Sequence, residues 1–206
     1  MRKSIIHLLL IGVFFASFSC KKANSETVKE EKASSYTVSS DSISLEWTAY
    51  KTTAKVPVKG TFTKIELKNT PSGASPEAAA GNIEFSIPIE SIFTKDTIRD
   101  GKLKKFFFGN MLGTSSITGK TSLKENGMGE ATISMNGVEK TVPVSYTTNG
   151  NVIEITAKLD LDNWQAQMAL AALSEACYEL HKGTDGVSKT RNTVDVLLQV
   201  STQLQP

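Results

Sequence analysis

Three Asn-Gly pairs divide the second half of the chain, at residues 126–127, 136–137 and 149–150. They separate runs in which apolar and polar side chains alternate, which is the pattern of a strand with one buried face. An Asn-Gly pair between such runs is a strong hairpin signal, because a type I′ turn needs positive φ at both central residues. The sequence therefore predicts an antiparallel meander.

The same alternation continues on both sides of this meander. Strands are predicted at residues 36–38, 43–50, 56–67 and 83–89 before it, and at 194–200 near the end of the chain. The third of these runs changes the parity of its apolar positions at Ile65, which predicts a bulge. Because closure removes exposed sheet edges, we expect an all-β fold, an antiparallel eight-stranded barrel with one or two helical insertions. A two-sheet sandwich is the alternative.

Two segments break the strand rhythm and are predicted to be helical. The first, 96–108, has Thr94 or Asp96 as its candidate N-cap and ends in three consecutive phenylalanines, Phe106 to Phe108. These rings either pack as core at one end of the barrel or form a lid or wall of a lipid site. The second segment, 163–181, has apolar residues at helical spacing: Leu170, Leu173, Cys177 and Leu180.

The N-terminus has the pattern of a secretory signal peptide over residues 1–19. Arg2 and Lys3 precede a short apolar stretch that ends in small residues before Cys20. This stretch is too short to span a membrane comfortably. The sequence from Ser17 to Cys20 resembles a bacterial lipoprotein processing site, which implies that Cys20 becomes a lipid-modified N-terminus. Ordinary cleavage that leaves a free thiol is the alternative.

The segment that follows the signal peptide is polar. Residues 20–35 contain too little apolar surface to fold, so they are predicted to be a lipid-attached flexible tether. Residues 36–206 are long enough for one domain with a substantial core. The expected location is the bacterial cell envelope, with the exported chain lipid-anchored and facing the periplasm or the surface.

Composition and motifs favour binding over catalysis. Without residues 1–19 the chain has 21 Lys+Arg and 21 Asp+Glu, which gives no electrostatic reason to expect nucleic acid as a partner. His181 is then its one histidine, and zinc sites need several His or Cys ligands. Cys177 is expected to be a buried hydrophobe. We find no phosphate-binding glycine loop and no nucleophile elbow, so we predict no enzyme activity, no cofactor and no metal.

Several segments together resemble the YceI-like family. The run SISLEWTAYKTTAKVPVKGTF is similar to the opening strands of that family, and NIEFSIPIESIFTKDTIRDGKLKKFFF is similar to its central signature. In that signature Arg99 and Asp100 precede Leu103 and a Phe-rich end. SSITGK and ATISMNGVEKTVPVSY resemble the next strand and the following hairpin. The resemblance covers roughly Tyr36 to Ser201, and Lys102 stands where the family commonly has histidine.

The resemblance implies a lipocalin-like barrel that holds a polyisoprenoid or similar long-chain amphiphile inside, as carrier, store or sensor. Arg99 and Lys102 are expected near the mouth, where they would meet a polar or anionic head group. The expected apolar wall consists of Leu45, Trp47, Phe62, Phe85, Ile87, Phe107, Ile133, Val144 and Ile155. The alternative is a structural or interaction lipoprotein whose barrel is filled by its own side chains. A homodimer is left open.

Overall fold

A computed structural model describes residues 34–206. The predicted signal peptide, Cys20 and nearly all of the predicted tether lie outside the described residues. The strands are β1 (Ser35–Thr37), β2 (Ile43–Lys51), β3 (Val56–Phe62), β4 (Glu66–Leu67), β5 (Ser72–Gly73), β6 (Glu84–Pro88), β7 (Ile92–Phe93), β8 (Ser116–Leu123), β9 (Met128–Met135), β10 (Val138–Asn149), β11 (Val152–Asp160), β12 (Thr190–Ser201) and β13 (Gln203–Gln205).

Ten of these strands form one antiparallel sheet in the order β4-β6-β8-β9-β10-β11-β12-β2-β3-β7. The two ends of this order meet, because β4 continues β3 along the chain and β7 continues β6. Thr61 pairs with Phe93, Thr63 N donates to Ser91 O at 2.8 Å, and Leu67 pairs with Phe85. Counted as two bent strands, these four pieces close an eight-stranded barrel. The predicted fold class is confirmed, although the sheet contains more separate strands than predicted.

The strand predicted at 56–67 is broken between β3 and β4, at residues 63–65. From the pair Phe62–Ile92 to the pair Glu66–Ser86 the chain advances four residues along β3–β4 but six along β6–β7, so the two extra residues of the bulge lie on the partner strand, at the 3-10 turn Ile89–Ser91. The irregular residues between the pieces include Ile65, which is buried. A bulge bends the strand and increases its twist, and this is how a short sheet curls on itself. The change of apolar parity in the sequence therefore marked a real bend.

The three Asn-Gly pairs all lie at hairpin turns, but the turns differ. Asn136 and Gly137 form a tight two-residue turn, both with positive φ, between the paired residues Met135 and Val138. The pair at 126–127 also has positive φ at both residues but belongs to a longer loop. At the third turn only Gly150 has positive φ, since Asn149 still pairs with β11. There the expectation of positive φ at both residues was wrong, because the strand runs one residue further.

One end of the barrel is covered by a small sheet. β1 pairs with β13 and with β5, so the predicted first strand is not a barrel strand. β13 follows β12 directly, which places this sheet at the end where β12 finishes. The short helix α1 (Pro76–Ala80) packs beside it, with Ala79 and Ala80 fully buried. We call this the closed end.

The opposite end has the longer helical insertions. α2 (Thr97–Lys102) continues into a wider turn at Leu103–Phe107, and a 3-10 turn, Leu161–Trp164, precedes α3 (Gln167–Ala176). The predicted helix over 163–181 is therefore interrupted, because Gln165 has a left-handed backbone conformation after the 3-10 turn. No helix among residues 34–206 is both long and apolar enough to cross a membrane.

Two aromatic side chains on the inner face of the barrel each pack over a glycine on the neighbouring strand. Trp47 pairs with Gly60, and Phe85 pairs with Gly119. A Cβ built at Gly60 would lie 2.6 Å from Trp47 Cε2, and one at Gly119 would lie 2.6 Å from Phe85 Cζ. Each glycine leaves the space of a side chain for the ring beside it. The rings therefore cover the wall and do not fill the middle of the barrel.

A Gly60→Ala substitution tests this arrangement. Because the new methyl group would overlap the indole of Trp47, we expect the free energy of unfolding to fall by about 1–3 kcal/mol, the usual cost of overpacking. Denaturant unfolding measures this change. The matched control is Gly101→Ala, since a Cβ there meets nothing within 4 Å and alanine favours the helix. Equal stability of the two variants would contradict the proposed packing.

Candidate functional site

The barrel encloses a cavity of about 310 Å³ that extends toward the end with the long insertions. Its walls combine inward-facing strand residues with the apolar faces of α2, α3 and the turns beside them. Every second residue of a strand faces inward and lines it, as Leu45, Trp47 and Ala49 do in β2. The cavity lies within the size range of small-molecule sites.

The predicted wall residues divide between this cavity and a smaller one. The main cavity is lined by Leu45, Trp47, Phe62, Phe85, Ile87, Arg99, Lys102, Phe107 and Ile133. Val144 and Ile155 line only a second cavity of about 70 Å³ nearer the closed end. Leu45, Phe85, Ile87 and Ile133 line both, as do Leu159 and Val196, so these six side chains separate the two spaces.

The three consecutive phenylalanines have different environments. Phe107 and Phe108 are buried and line the main cavity, with their rings edge-on at a centroid distance of 4.9 Å. Phe106 is half-buried and lies under the ammonium group of Lys105, 5.1 Å from it. Two of the three rings therefore line the cavity and also belong to the hydrophobic core, which agrees with both alternatives for this motif.

Helix α2 is fixed by two carboxylates at the mouth of the cavity. Asp96 caps the helix, and its Oδ1 accepts from the backbone N–H groups of Ile98 and Arg99 at 3.1 and 3.0 Å. Buried Asp100 accepts from both the backbone N–H and the hydroxyl of Thr94, at 2.9 and 2.6 Å. The two hydrogen bonds between Asp100 and Thr94 join the helix to the end of β7. They position the side chains of α2 over the opening.

Four cationic side chains and one carboxylate line the same end of the cavity: Lys51, Arg99, Lys102, Arg191 and Asp96. Asp96 pairs with Arg99 at 3.3 Å. Lys102 Nζ donates to the carbonyl of Ala176 at 3.1 Å, and Lys51 Nζ donates to that of Leu180 at 3.0 Å. These two lysines have only backbone carbonyls as partners among the described residues. An apolar interior therefore ends in a basic opening.

His181 and Cys177 lie beside these cations and line the cavity. Burial lowers the pKa of His181, and the positive charges of Lys51 and Lys102 lower it further. The ring Nδ1 of His181 is 2.7 Å from the hydroxyl oxygen of Thr190. Burial raises the pKa of the Cys177 thiol, against the opposing influence of the nearby cations. Both groups are therefore mainly neutral at neutral pH.

The sequence reasoning missed much of this opening. Lys51 lies two residues after Ala49 in β2 and therefore faces inward. A charged residue at an inward-facing position was the feature of the sequence that could have identified it. Arg191 and Thr190 had no such signal, because a bulge in β12 hides their parity. The apolar stripe of α3 was recognised, but its helix was not assigned to the cavity. Leu170, Leu173 and Cys177 nevertheless line it.

The chemistry of this site is that of an apolar chamber. Within residues 34–206 no cluster of three or more His, Cys, Asp or Glu side chains could hold a metal ion. Trp164 is fully buried beside the site, and its Nε1 donates to the carbonyl of Ile133, a wall residue, at 3.0 Å. Such a site can remove an apolar chain from water and leave a polar end at the basic opening.

Comparisons with known proteins agree with this architecture. A family model described as a YceI-like domain matches residues 36–202. No curated protein matches the chain significantly. A solved structure of a polyisoprenoid binding domain from Saccharophagus degradans, implicated in plant cell wall breakdown, has a TM-score of 0.54 at 14% identity and covers 81% of this chain and 98% of its own. BcnA of Burkholderia cenocepacia has a TM-score of 0.51 at 14% identity, with coverage of 82% and 99%.

The lowered pKa of His181 predicts a pH dependence of stability. Below the unfolded-state pKa of about 6.5, the unfolded chain takes up a proton that the folded protein binds less readily. The free energy of unfolding should therefore decrease as the pH falls from about 7.5 to about 5.5. In His181→Gln this slope should become flatter. Denaturant titrations at several pH values measure it, and an unchanged slope in the variant would contradict the assignment.

Proposed function

Because this chain belongs to the YceI-like family, we propose that it binds a long-chain amphiphile, such as a polyisoprenoid, with its apolar tail inside the barrel. The observation that carries the proposal is the cavity of about 310 Å³ behind a basic opening. The Saccharophagus degradans structure, described as a polyisoprenoid binding domain, supports the choice of ligand class. Carrier, store and sensor remain the proposed roles.

The size of the cavity limits the length of the bound tail. A dry apolar cavity of about 150 Å³ holds a benzene molecule, which has six carbons. The main cavity has about twice that volume, so it has room for about twelve carbons. The smaller cavity beyond Phe85 and Ile133 adds space for a few more when these side chains move. We therefore expect a tail of roughly 10–15 carbons to fit inside.

Burial of the tail supplies most of the affinity. Each buried CH₂ contributes about 0.8 kcal/mol, so ten contribute about 8 kcal/mol, which corresponds to micromolar binding before the costs of association. Polar contacts then orient the ligand and are not needed for tight binding. Arg99 and Lys102 are the proposed contacts of a polar or anionic head group, because both line the opening.

The rival reading of a barrel filled by its own side chains has less support. It requires the inward-facing residues to meet in the middle, whereas Trp47 and Phe85 lie against the wall over Gly60 and Gly119. A space large enough for a ligand remains beside them. An interaction role on the outer surface is compatible with this cavity but does not account for it.

We also propose that the protein is exported and anchored through Cys20, in the bacterial cell envelope. The motif from Ser17 to Cys20 and the polar residues after it support this proposal. Several acyl chains on one cysteine would anchor the protein stably, since a single chain binds membranes only marginally.

A cavity-filling substitution tests the ligand proposal. Ala49 is half-buried on the inner face of β2 and lines the cavity, so Ala49→Phe would place a ring in the empty space. We expect its affinity for farnesol to fall at least tenfold, with unfolding stability unchanged or raised. Calorimetric titration with geraniol, farnesol and geranylgeraniol should show affinity rising from ten to 15 carbons and then levelling off, within the roughly 10–15 carbons that fit.

The control for this substitution is Thr48→Phe, because Thr48 faces outward on the same strand. It should bind farnesol as the wild type does. The proposal fails if the wild-type protein takes up none of the three alcohols, or if the inner and outer variants bind them equally.

Anchoring has a separate test in cells. A Cys20→Ser variant should lose acylation and move from the membrane fraction to the soluble fraction of the envelope. Fractionation with metabolic labelling by an alkyne fatty acid measures both effects. Persistence of the label in the variant would exclude Cys20 as the attachment site.

A further inference from the structure

The rim of the cavity has a charge that differs from the rest of the described chain. Three segments surround the opening, residues 51–56, 94–102 and 177–191, and we call them the mouth segments. They contain eight Lys/Arg and four Asp/Glu, whereas residues 34–206 as a whole contain 17 Lys/Arg and 18 Asp/Glu. The positive charge is therefore concentrated around the opening of a domain that is nearly neutral.

Contacts hold the mouth segments together as one surface. Lys51 in the first segment reaches Leu180 in the third, and Lys102 in the second reaches Ala176 beside the third. The backbone N–H of Thr52 donates to the carbonyl of Lys189 at 2.8 Å, which joins the first segment to the third again. A ligand-sized or larger partner at the opening would meet all three segments.

Most of the basic groups on this surface have no carboxylate partner. Among the described residues, only Arg99 and Lys182 of the eight form an ion pair, with Asp96 and Glu179. Outside the mouth segments the proportion is reversed, because six of nine described Lys and Arg residues are paired: Lys59, Lys64, Lys68, Lys104, Lys124 and Lys158. The charge around the opening is thus available to an external anionic partner.

The same surface exposes apolar side chains. Five of the ten exposed large hydrophobic residues in the described chain lie in the mouth segments: Val56, Ile98, Tyr178, Leu180 and Val187. Ile98 and Leu180 are 74% and 58% exposed although both line the cavity, so they stand at its edge. Exposed apolar groups among basic ones are typical of surfaces that lie in a membrane interface.

The closed end has the opposite character. Its segments, residues 38–42, 67–84, 123–128, 149–152 and 201–206, contain two Lys/Arg and four Asp/Glu. β1, the first described strand, also lies at this end. The field of the domain therefore directs its mouth toward a negative surface.

From this combination we propose that the mouth segments dock on an anionic phospholipid bilayer, with Tyr178, Val187 and their apolar neighbours in the interface and the unpaired lysines over the head groups. The cavity then faces the bilayer directly, and an apolar tail passes between the two without crossing water. Docking uses the surface around the cavity and does not depend on which ligand the cavity holds.

Vesicle co-sedimentation tests the docking. The protein is the chain from Lys21 to Pro206, which keeps every described residue and lacks Cys20, so that no acyl chain contributes. We expect it to bind vesicles of phosphatidylglycerol and phosphatidylcholine in equal parts more tightly than vesicles of phosphatidylcholine alone. Binding should weaken roughly tenfold between 0.1 M and 0.5 M NaCl, because salt screens the attraction.

Two matched pairs of variants locate the contact. The double variant Lys55→Gln/Lys189→Gln should weaken vesicle binding about twentyfold. Its control, Lys120→Gln/Lys140→Gln, should have little effect. The pairs are matched because all four lysines are exposed and have no carboxylate partner among the described residues. Tyr178→Ser/Val187→Ser should weaken binding roughly tenfold, and Met128→Ser/Leu204→Ser at the closed end should not.

Farnesol titrations on the same variants separate docking from ligand binding. Neither Tyr178 nor Val187 lines the cavity, so this variant should bind farnesol normally while it loses vesicle binding. The docking proposal is overturned if the wild-type chain does not bind anionic vesicles at low salt. It is also overturned if each mouth variant binds them as well as its control. Either result leaves the ligand proposal to its own titrations.

Discussion

The pairing of an aromatic ring with a glycine on the neighbouring strand determines what this barrel can do. An eight-stranded barrel is just wide enough for its own side chains to fill it or for one small ligand. Trp47 and Phe85 are among the largest inward-facing side chains, and in the middle of the barrel they would occupy the space of a ligand. Because Gly60 and Gly119 have no side chains, each ring lies on the wall. The cavity between the walls depends on this arrangement.

The interior is divided into two cavities by apolar side chains that line both of them. Six side chains stand between the main cavity and the smaller one near the closed end: Leu45, Phe85, Ile87, Ile133, Leu159 and Val196. These are flexible or rotatable apolar groups without hydrogen bonds to hold them. A tail that enters from the mouth therefore meets side chains that can change rotamer at the inner limit of the main cavity. This suits a class of ligands whose members differ mainly in tail length.

Much of the barrel was predictable from the sequence, and the reasons are local. Strand alternation and turn chemistry act within a few residues, so β2, the meander and the break in the strand near Ile65 followed directly from the pattern. The interruption of the helix near Gln165 did not, because it depends on how Trp164 packs in the core and donates to the carbonyl of Ile133. The small sheet at the closed end also depends on partners that are distant in sequence.

Most of the wall of the site was predictable, whereas only Arg99 and Lys102 of the charged groups at its opening were expected there. The alternation in β2 identified residues such as Leu45 and Trp47, because every second side chain of a barrel strand faces the interior. The opening is assembled from three segments that are far apart in the chain, and hydrogen bonds from Lys51 and Lys102 to backbone carbonyls join them. No spacing in the sequence reports such bonds. The part that Lys51 and Arg191 take in the basic mouth therefore emerged only when the segments were brought together.

The central claim is that the interior is vacant and takes up a hydrocarbon tail. Native mass spectrometry of protein purified without detergent measures this most directly, because it weighs the folded protein together with whatever it holds. We expect one amphiphile for each protein chain, and organic extraction should release a molecule with a long apolar tail. A preparation in which every folded molecule has the bare mass, and which still gains no mass after incubation with farnesol, would contradict the account.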